Sequence, residues 1–445
     1  MEHLVLLRAT LNLLHYHMMK KLTFFITVFA IGNAAFSQSI DKIINVTEVE
    51  RVERALSADD MQGRKPFTAG IDKAAAFIAD EFKKAGLKPV GKNSYLQSFN
   101  MLRIKFGSAK GTLNGKAVEE KDIMALTDKP VLTVTESAKY EKVQVSKDSL
   151  YPVYVRLSNT PGNYLLVVDT SARNLFNNIR RRSTLFAPAS TIVGLLTTED
   201  PATYSIEYNQ EVTAMPLNNV VGILPGKGKK KDEYVIFSGH YDHLGIGRAN
   251  AAGDSIYNGA NDDAAGTTAV IMLAHYFARQ KNNERTIVFA AFTAEESGGF
   301  GSQHFSRQFE PDKVMAMFNI EMIGTDSKWG NNSAYITGYE KTDMGKILEK
   351  NLEGTNFKFY PDPYPEQQLF YRSDNATLAR LGVPAHTIST SKMDSEKNYH
   401  TQEDEIETLD LKNMTEIIKA IAFSSTSIVA GKDTPSRVEA SALKR

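Results

Sequence analysis

The chain has 445 residues, more than one ordinary hydrophobic core holds, so a main domain with a subsidiary one is expected. Lysine and arginine total 52, and aspartate and glutamate also total 52, so the composition indicates neither a nucleic-acid-binding surface nor a long acidic tail. Cysteine is absent, which excludes disulfides and thiolate-bound metal and leaves histidine, aspartate and glutamate as metal ligands.

The start of the chain has the pattern of an export signal. Lys20 and Lys21 precede an apolar run at 22–31, and small residues lie just before Gln38. We expect a signal peptide within residues 1–37, cleavage near Gln38, and a periplasmic or extracellular protein whose first 17 residues reflect a misassigned start codon. An uncleaved anchor is the alternative, but an apolar run of about ten residues is too short to span a bilayer.

Residues 38–101 are predicted to form an N-terminal helical part of the main domain. Apolar residues recur at helical spacing between Ile71 and Phe82. Gly86 follows as a stop signal and Pro89 confirms the break, so the helix is expected to end there and to cover one edge of the main sheet.

The next segment, 102–215, has a different texture. Short strand-like pieces at 131–134, 153–155 and 164–168 alternate with turn residues, which predicts a small β-rich inserted domain. It holds no cluster of metal ligands, so we expect a substrate gate or spacer rather than a catalytic part.

The segment 216–431 is predicted to be the main domain, with a polar tail at 432–445. Its apolar runs at 234–237 and 287–292 are typical of strands in a parallel sheet that helices cover on both faces, and an amphipathic helix lies between them. The prediction is a doubly wound, mostly parallel α/β sheet with its ligand site at the carboxyl ends of the strands. Further strands are predicted at 317–320, 334–337 and 385–389, and helices at 342–352, 375–381 and 411–429.

Acidic and histidine residues follow the predicted strands, and imidazole and carboxylate are ligands that zinc takes. Each group also has an ordinary explanation: a histidine beside an aspartate stabilises a fold, acids before a helix cap it, and adjacent glutamates are solvated. A buried strand that delivers both glutamates into one cleft weakens the last explanation. The candidates are His240 and Asp242, Asp262 and Asp263, Glu295 and Glu296, Glu321, and His400.

Chain geometry separates ligands from supporting residues. Asp262 and Asp263 are adjacent, so only one carboxylate enters a shared site, and we expect Asp262 to bridge two metals while Asp263 supports the turn. Asp242 lies two residues after His240, on the same side of an extended chain, and is expected to accept the second imidazole N–H. His243 is expected only to flank the site.

Five sequence blocks resemble the motifs of metallopeptidase family 28, the co-catalytic di-zinc exopeptidases that include secreted leucyl aminopeptidases. The resemblance extends over roughly 40–100 and 216–430, where Gly63-Arg64 and the segment 372–384 also resemble the family. The middle of the chain resembles a protease-associated insertion in position only. The five blocks are SGHYDHLG (238–245), GANDDAAG (259–266), TAEESG (293–298), NIEMIG (319–324) and YHT (399–401).

The resemblance implies two zinc ions with Asp262 and a water between them. His240 and Glu321 would bind one ion, and Glu296 and His400 the other. The family commonly has aspartate at the position of Glu321, but glutamate is an ordinary zinc ligand.

The resemblance also implies the catalytic groups. Glu295 matches the general base, and the hydroxyl of Tyr399 would stabilise the tetrahedral oxyanion. A cis peptide is implied between Asp262 and Asp263. Asn375 stands where relatives often have histidine, a change that could reshape the pocket.

The implied function is hydrolysis of peptides at their N-terminus, with a peptide substrate, no nucleic acid, no stable membrane span after signal cleavage, and an undetermined oligomeric state. The alternatives are a single-zinc glutaminyl cyclase, a carboxypeptidase, and the deacylase and dipeptidase family. A carboxypeptidase needs an arginine for the substrate carboxylate, for which Arg248, Arg307 and Arg372 are candidates. A non-enzymatic binding ectodomain would be expected to have lost ligands, and none is lost.

Overall fold

The computed structural model describes residues 40–443, so the predicted export signal lies outside the described residues. The chain divides into two compact units. The main unit joins the described residues up to Gln97 with those from Asn218 onward, and the inserted unit is Ser98–Leu217. Among the described residues, no helix combines the length and apolar character needed to cross a membrane.

Helices and strands alternate along the main unit and mix in the inserted unit. The helices are α1 Val46–Leu56, α2 Ala69–Ala85, α3 Leu150–Ser158, α4 Arg173–Arg180, α5 Ala265–Gln280, α6 Phe300–Ser306, α7 Met344–Asn351, α8 Asn375–Ala379, α9 Leu411–Ser424 and α10 Thr426–Val429. The strands are β1 Lys88–Pro89, β2 Leu96–Leu113, β3 Lys116–Val118, β4 Ile123–Leu126, β5 Val131–Thr135, β6 Glu141–Val145, β7 Gly162–Val168, β8 Thr184–Phe186, β9 Ser190–Leu196, β10 Tyr204–Leu224, β11 Tyr234–His240, β12 Gly245–Ile246, β13 Ile256–Tyr257, β14 Thr286–Phe292, β15 Val314–Ile320, β16 Ser333–Ile336, β17 Lys358–Pro361 and β18 Ala385–Ser389.

The sheet of the main unit has the strand order β17-β16-β18-β15-β11-β14-β10. The central strands β14, β11, β15 and β18 are parallel neighbours, whereas β16 pairs antiparallel with β18 and the end of β10 pairs antiparallel with β14. Helix α5 connects β11 to β14 and packs with α1, α2 and α9, while α6 and α8 pack together, with α8 against β15 and β18. The predicted mostly parallel α/β sheet with flanking helices is confirmed.

Burial of nearly every residue on both faces stabilises the central strands. Phe237 on β11 stacks on Phe277 of α5 and on Phe289 and Phe318 of the adjacent strands, with ring centroids 4.9–5.7 Å apart. Burying one such side chain contributes roughly 1.5–3 kcal/mol, so the continuous apolar runs stabilise the strands that position the site. At the edge of this core, α2 ends at Gly86, whose φ of 81° is the left-handed conformation that glycine adopts readily.

The inserted unit contains a four-stranded sheet in the order β4-β9-β7-β6, together with α3 and α4. The predicted strands at 131–134 and 164–168 lie within β5 and β7. The predicted strand at 153–155 is wrong, since these residues lie within α3. Leu150, Tyr154 and Leu157 have the spacing of one helical face and are buried, and Pro152 is tolerated in the first turn.

A buried carboxyl under the main sheet gives a test of stability. Glu53 on α1 is fully buried, with one oxygen accepting a hydrogen bond from Thr268 Oγ1 at 2.8 Å and the other without a partner. Burial raises the pKa of Glu53 to about 8, against the opposing effects of Thr268 and Arg64. The folded state therefore holds a proton that the unfolded state releases, so stability is lost as pH rises from about 4.5 to 8.

We expect Glu53→Gln to abolish this loss, which amounts to at most about 5 kcal/mol between pH 4.5 and 8. Urea unfolding of both proteins at pH 5 and pH 8 measures it. Glu50→Gln is the matched control, because Glu50 lies on the same helix but is exposed beside Arg54. Equal pH dependence in wild type and Glu53→Gln would contradict a neutral buried carboxyl.

Candidate metal centre

The ends of three adjacent parallel strands place the predicted site residues together. β11 ends at His240 itself, three residues further than the predicted strand at 234–237. Glu295 follows β14 after two residues, and Glu321 directly follows β15. Because β14, β11 and β15 are neighbours, their carboxyl ends deliver these side chains to one edge of the sheet.

The Asp262 carboxylate lies between two histidines. Its Oδ1 is 3.2 Å from His240 Nε2, and its Oδ2 is 3.2 Å from His400 Nε2. His400 Nε2 is also 3.1 Å from Glu296 Oε1. Asp262 therefore has the position that was predicted for a bridging ligand.

Several polar atoms here fit a metal ion better than a hydrogen-bond network. His240 Nδ1 lies 3.1 Å from the backbone oxygen of Asp242, so that nitrogen carries the proton and the Nε2 lone pair faces Asp262. His240 Nε2, His400 Nε2 and Glu321 Oε2 are all buried without a hydrogen-bond partner. Buried imidazole nitrogens and carboxylate oxygens that converge without hydrogen-bond partners are a donor set that zinc takes.

The buried negative charge at this edge leads to the same conclusion. Burial raises the pKa of Glu321 to about 7 and that of Asp374 to about 6, and it raises the pKa of Glu295 well above its usual range. Mutual repulsion among these carboxylates adds to the effect, while His240 opposes it. Ionised buried carboxylates are costly without a compensating charge, which divalent cations would supply.

Two buried aspartates hold the backbone around the site. The Asp242 carboxylate accepts the amides of Glu295 at 3.0 Å and Glu296 at 3.3 Å. The carboxylate was expected to accept the second N–H of His240, and this expectation is corrected. Asp242 Oδ1 lies 3.7 Å from His240 Nδ1, whereas the backbone oxygen of Asp242 lies 3.1 Å from it. Asp263 accepts the amides of His240, Gly266 and Met322 at 3.0–3.2 Å and supports the turn as expected.

Three residues at the site have left-handed backbones although they are not glycine. Ala294, Met322 and His400 have φ values of 58°, 52° and 58°. Each such residue costs about 1–2 kcal/mol, which the surrounding hydrogen bonds must offset. Ala294 precedes Glu295 and Met322 follows Glu321, so this strain sets the direction of the acidic side chains. The peptide between Asp262 and Asp263 is cis, as the resemblance implied.

The turn that carries Asp262 is fixed by two groups that the sequence analysis did not single out as site residues. Arg64 is fully buried and donates to the backbone oxygens of Tyr241, Asn258 and Gly259. The Asp404 carboxylate accepts the amides of Asn261 at 2.8 Å and Asp262 at 3.0 Å. Asp404 lies four residues after His400, but this spacing alone does not distinguish it from other acids nearby.

Gly266, at the end of the turn that carries Asp262, lets helix α5 lie close to the end of β15. Gly266 has no positive φ, but a Cβ there would lie 2.2 Å from the Ile320 oxygen and 2.4 Å from the Asp263 carboxylate. A side chain at this position would separate helix α5 from the end of β15, and with it Asp262 from Glu321.

His243, which was expected only to flank the site, contacts the candidate ligand Glu296. Its side chain is fully buried, and its Nδ1 lies 3.0 Å from Glu296 Oε1. His243, Asp262 and Glu296 form a group whose ligand atoms all lie within 4.8 Å of one another. The path of the loop beyond β11 places His243 there, which no spacing rule predicts.

A cavity of about 80 Å³ opens beside the acidic cluster. Tyr399 lines it, 40 % exposed, with its ring stacked on His400 at 3.9 Å. Arg372 also lines it, whereas the other two candidate arginines do not. The remaining lining is Asp262, Glu295, Glu296, Glu321, Met322, Tyr335, Thr337, Leu369, Ser373, Thr387, Ser389, Ser391 and Met393.

The fold is α/β, and a candidate metal centre of histidine and carboxylate side chains lies at the ends of its central strands. Residues 219–424 match the family model of peptidase family M28. The matched region contains all the candidate ligands and Glu295. This part of the chain is therefore similar to peptidase family M28.

Curated relatives are similar over this domain. Leucine aminopeptidase 1 of Ajellomyces dermatitidis is 27 % identical over 216 residues, which is 45 % of this chain and 53 % of the relative. A probable zinc metalloprotease of Pyrenophora teres f. teres is 34 % identical over 119 residues, 26 % of this chain and 25 % of the relative. The chain spans about half the length of the leucine aminopeptidases it matches.

Solved structures share the fold over a longer stretch. An aminopeptidase from Aneurinibacillus sp. strain AM-1 superposes with a TM-score of 0.52 at 17 % identity, covering 88 % of this chain and 95 % of that one. BSAP, a zinc aminopeptidase from Bacillus subtilis, has a TM-score of 0.53 at 17 % identity, covering 89 % and 98 %.

Proposed function

We propose that this protein is a zinc aminopeptidase that binds two zinc ions. The observation that carries the proposal is the Asp262 carboxylate, whose two oxygens each face an unpartnered histidine Nε2 at 3.2 Å. His240 and Glu321 would hold one ion, and Glu296 and His400 the other. The similarity of residues 219–424 to leucine aminopeptidases and to peptidase family M28 supports the choice of reaction.

Bound zinc would polarise the scissile carbonyl and lower the pKa of the attacking water. Glu295 lines the cavity, and as general base it would take the proton from that water and deliver it to the leaving amine. Burial, together with the charges of Asp262 and Glu296, raises the pKa of Tyr399, so its hydroxyl stays protonated and can donate to the oxyanion.

A second candidate is carboxypeptidase action on the same centre. Arg372 lines the cavity with Glu295 and Tyr399, where it could bind a substrate carboxylate bidentately. Arg248 and Arg307 do not line this cavity, so Arg372 is the one of the three candidates that supports this alternative.

A substrate panel separates these functions. We expect aminoacyl-nitroanilides to be cleaved, N-blocked peptides with a free carboxylate to resist, and N-terminal glutamine to be released rather than cyclised. A chelator should abolish cleavage, and added zinc should restore it, because the donor set holds the ions reversibly.

Preference for N-blocked peptides would assign the protein to the carboxypeptidases instead. Cleavage that is insensitive to chelator after complete metal removal would contradict the metal centre.

We further propose that the enzyme acts in the periplasm or outside the cell, which the export-signal pattern at 20–38 supports.

A further inference from the structure

His243 occupies a position that the proposed ligand set leaves unassigned. It lies three residues after the end of β11, with a side chain shielded from solvent. Its Nδ1 is 3.0 Å from Glu296 Oε1 and 3.9 Å from Asp262 Oδ2, and its ring centroid is 5.6 Å from that of His400. Two imidazoles therefore approach the same pair of carboxylates from different directions.

The distances between these four ligand atoms resemble the edges of a metal-binding tetrahedron. Metal–ligand bonds of about 2.0–2.1 Å place tetrahedral ligand atoms about 3.3 Å apart. The separations here are 3.0 Å for His243–Glu296, 3.1 Å for His400–Glu296, 3.2 Å for His400–Asp262 and 3.9 Å for His243–Asp262.

We propose that His243 is a direct ligand of the ion held by Asp262, Glu296 and His400. This inference rests on the proposed metal centre and makes its two positions unequal. The ion near His243 would have four protein ligands, while the ion near His240 would have His240, Asp262 and Glu321. Sites with four protein ligands are closed, whereas sites with three keep a position for water or substrate.

The cavity is lined by a carboxylate of each proposed position, Glu321 and Glu296, and by none of the three histidines. The asymmetry therefore rests on the number of protein ligands. The position with four ligands would serve to fix Asp262 and Glu296, and the position with three would leave room for water or substrate. The competing role for His243 is positioning, in which its ring only donates a hydrogen bond to Glu296.

Replacing His243 with cysteine distinguishes direct metal binding from positioning of Glu296. The chain has no other cysteine, so any thiolate signal comes from the substituted position. In His243→Cys loaded with Co²⁺, a thiolate bound to the metal would add a sulfur-to-cobalt charge-transfer band in the near ultraviolet. His275→Cys is the matched control, since His275 also pairs with a carboxylate, Glu81 at 3.1 Å, and lies outside the centre. We expect the band in the first variant and not in the second.

X-ray absorption of the zinc-loaded protein gives an independent readout. Direct binding predicts three imidazoles per two zinc ions in the wild type and two in His243→Gln. An unchanged imidazole count, or a His243→Cys protein that holds two Co²⁺ ions without the band, would overturn the inference and leave the proposed function intact. Wild-type protein that binds no metal would instead refute the proposed function.

Discussion

Replacing Glu295 with glutamine is expected to lower kcat by roughly 100- to 10,000-fold while both zinc ions stay bound. Glutamine preserves the shape of the side chain but cannot take a proton from the attacking water. The Glu295 amide, which binds Asp242 Oδ1 at 3.0 Å, is unaffected, so the turn should keep its conformation. The measurements are kcat on an aminoacyl-nitroanilide and zinc content of the same sample.

The adjacent residue supplies the matched control. Glu296 shares the turn and the Asp242 carboxylate, but its Oε1 faces His243 and His400. Glu296→Gln should therefore lose affinity for one zinc ion, and its activity should recover at high zinc concentration. Recovery of Glu295→Gln by zinc, or full activity in that variant, would remove Glu295 from the role of general base.

The central strands β11 and β14 could be predicted because each contains a continuous apolar run that is buried. The runs at 234–237 and 287–292 lie within β11 and β14, and the helix between them is α5. Since parallel strands end at one edge of the sheet, the predicted strand ends also placed His240 and Glu321 together from the sequence alone.

Contacts between distant loops could not be predicted in this way. The loop after β11 is directed by Arg64, whose backbone oxygen accepts the His243 amide and whose guanidinium binds the oxygens of Asn258 and Gly259. Sequence spacing contains no information on that path, so His243 was placed outside the ligand set. The strand predicted at 153–155 failed for a different reason, because packing within the inserted unit favoured a helical face over the β propensity of valine.

The three left-handed residues link the fold to the chemistry. Ala294, Met322 and His400 each adjoin or form part of the acidic cluster, and Met322 is held by the buried Asp263. The folded backbone therefore holds Glu295 and Glu321 in position before any ligand binds. This favours a preorganised site over one that the metal must assemble.

Replacing Asp262 with alanine is expected to weaken both metal positions together, each by more than about 100-fold, and to abolish activity. The reason is that its two oxygens face different histidines, His240 and His400, each at 3.2 Å. Removing the carboxylate takes one ligand from each ion at once. Zinc titration against a competing chelator measures both affinities, and circular dichroism confirms that the sheet is retained.

Variants at the two ends of the metal centre show whether Asp262→Ala lowers the zinc affinity of both positions. Glu321→Ala should weaken only the ion near His240, and His400→Ala only the ion near Glu296. Asp262→Ala differs from both because the bridge belongs to neither side. If Asp262→Ala lost one ion while holding the other with wild-type affinity, Asp262 would be an ordinary ligand, and the two ions would have to be held by separate carboxylates.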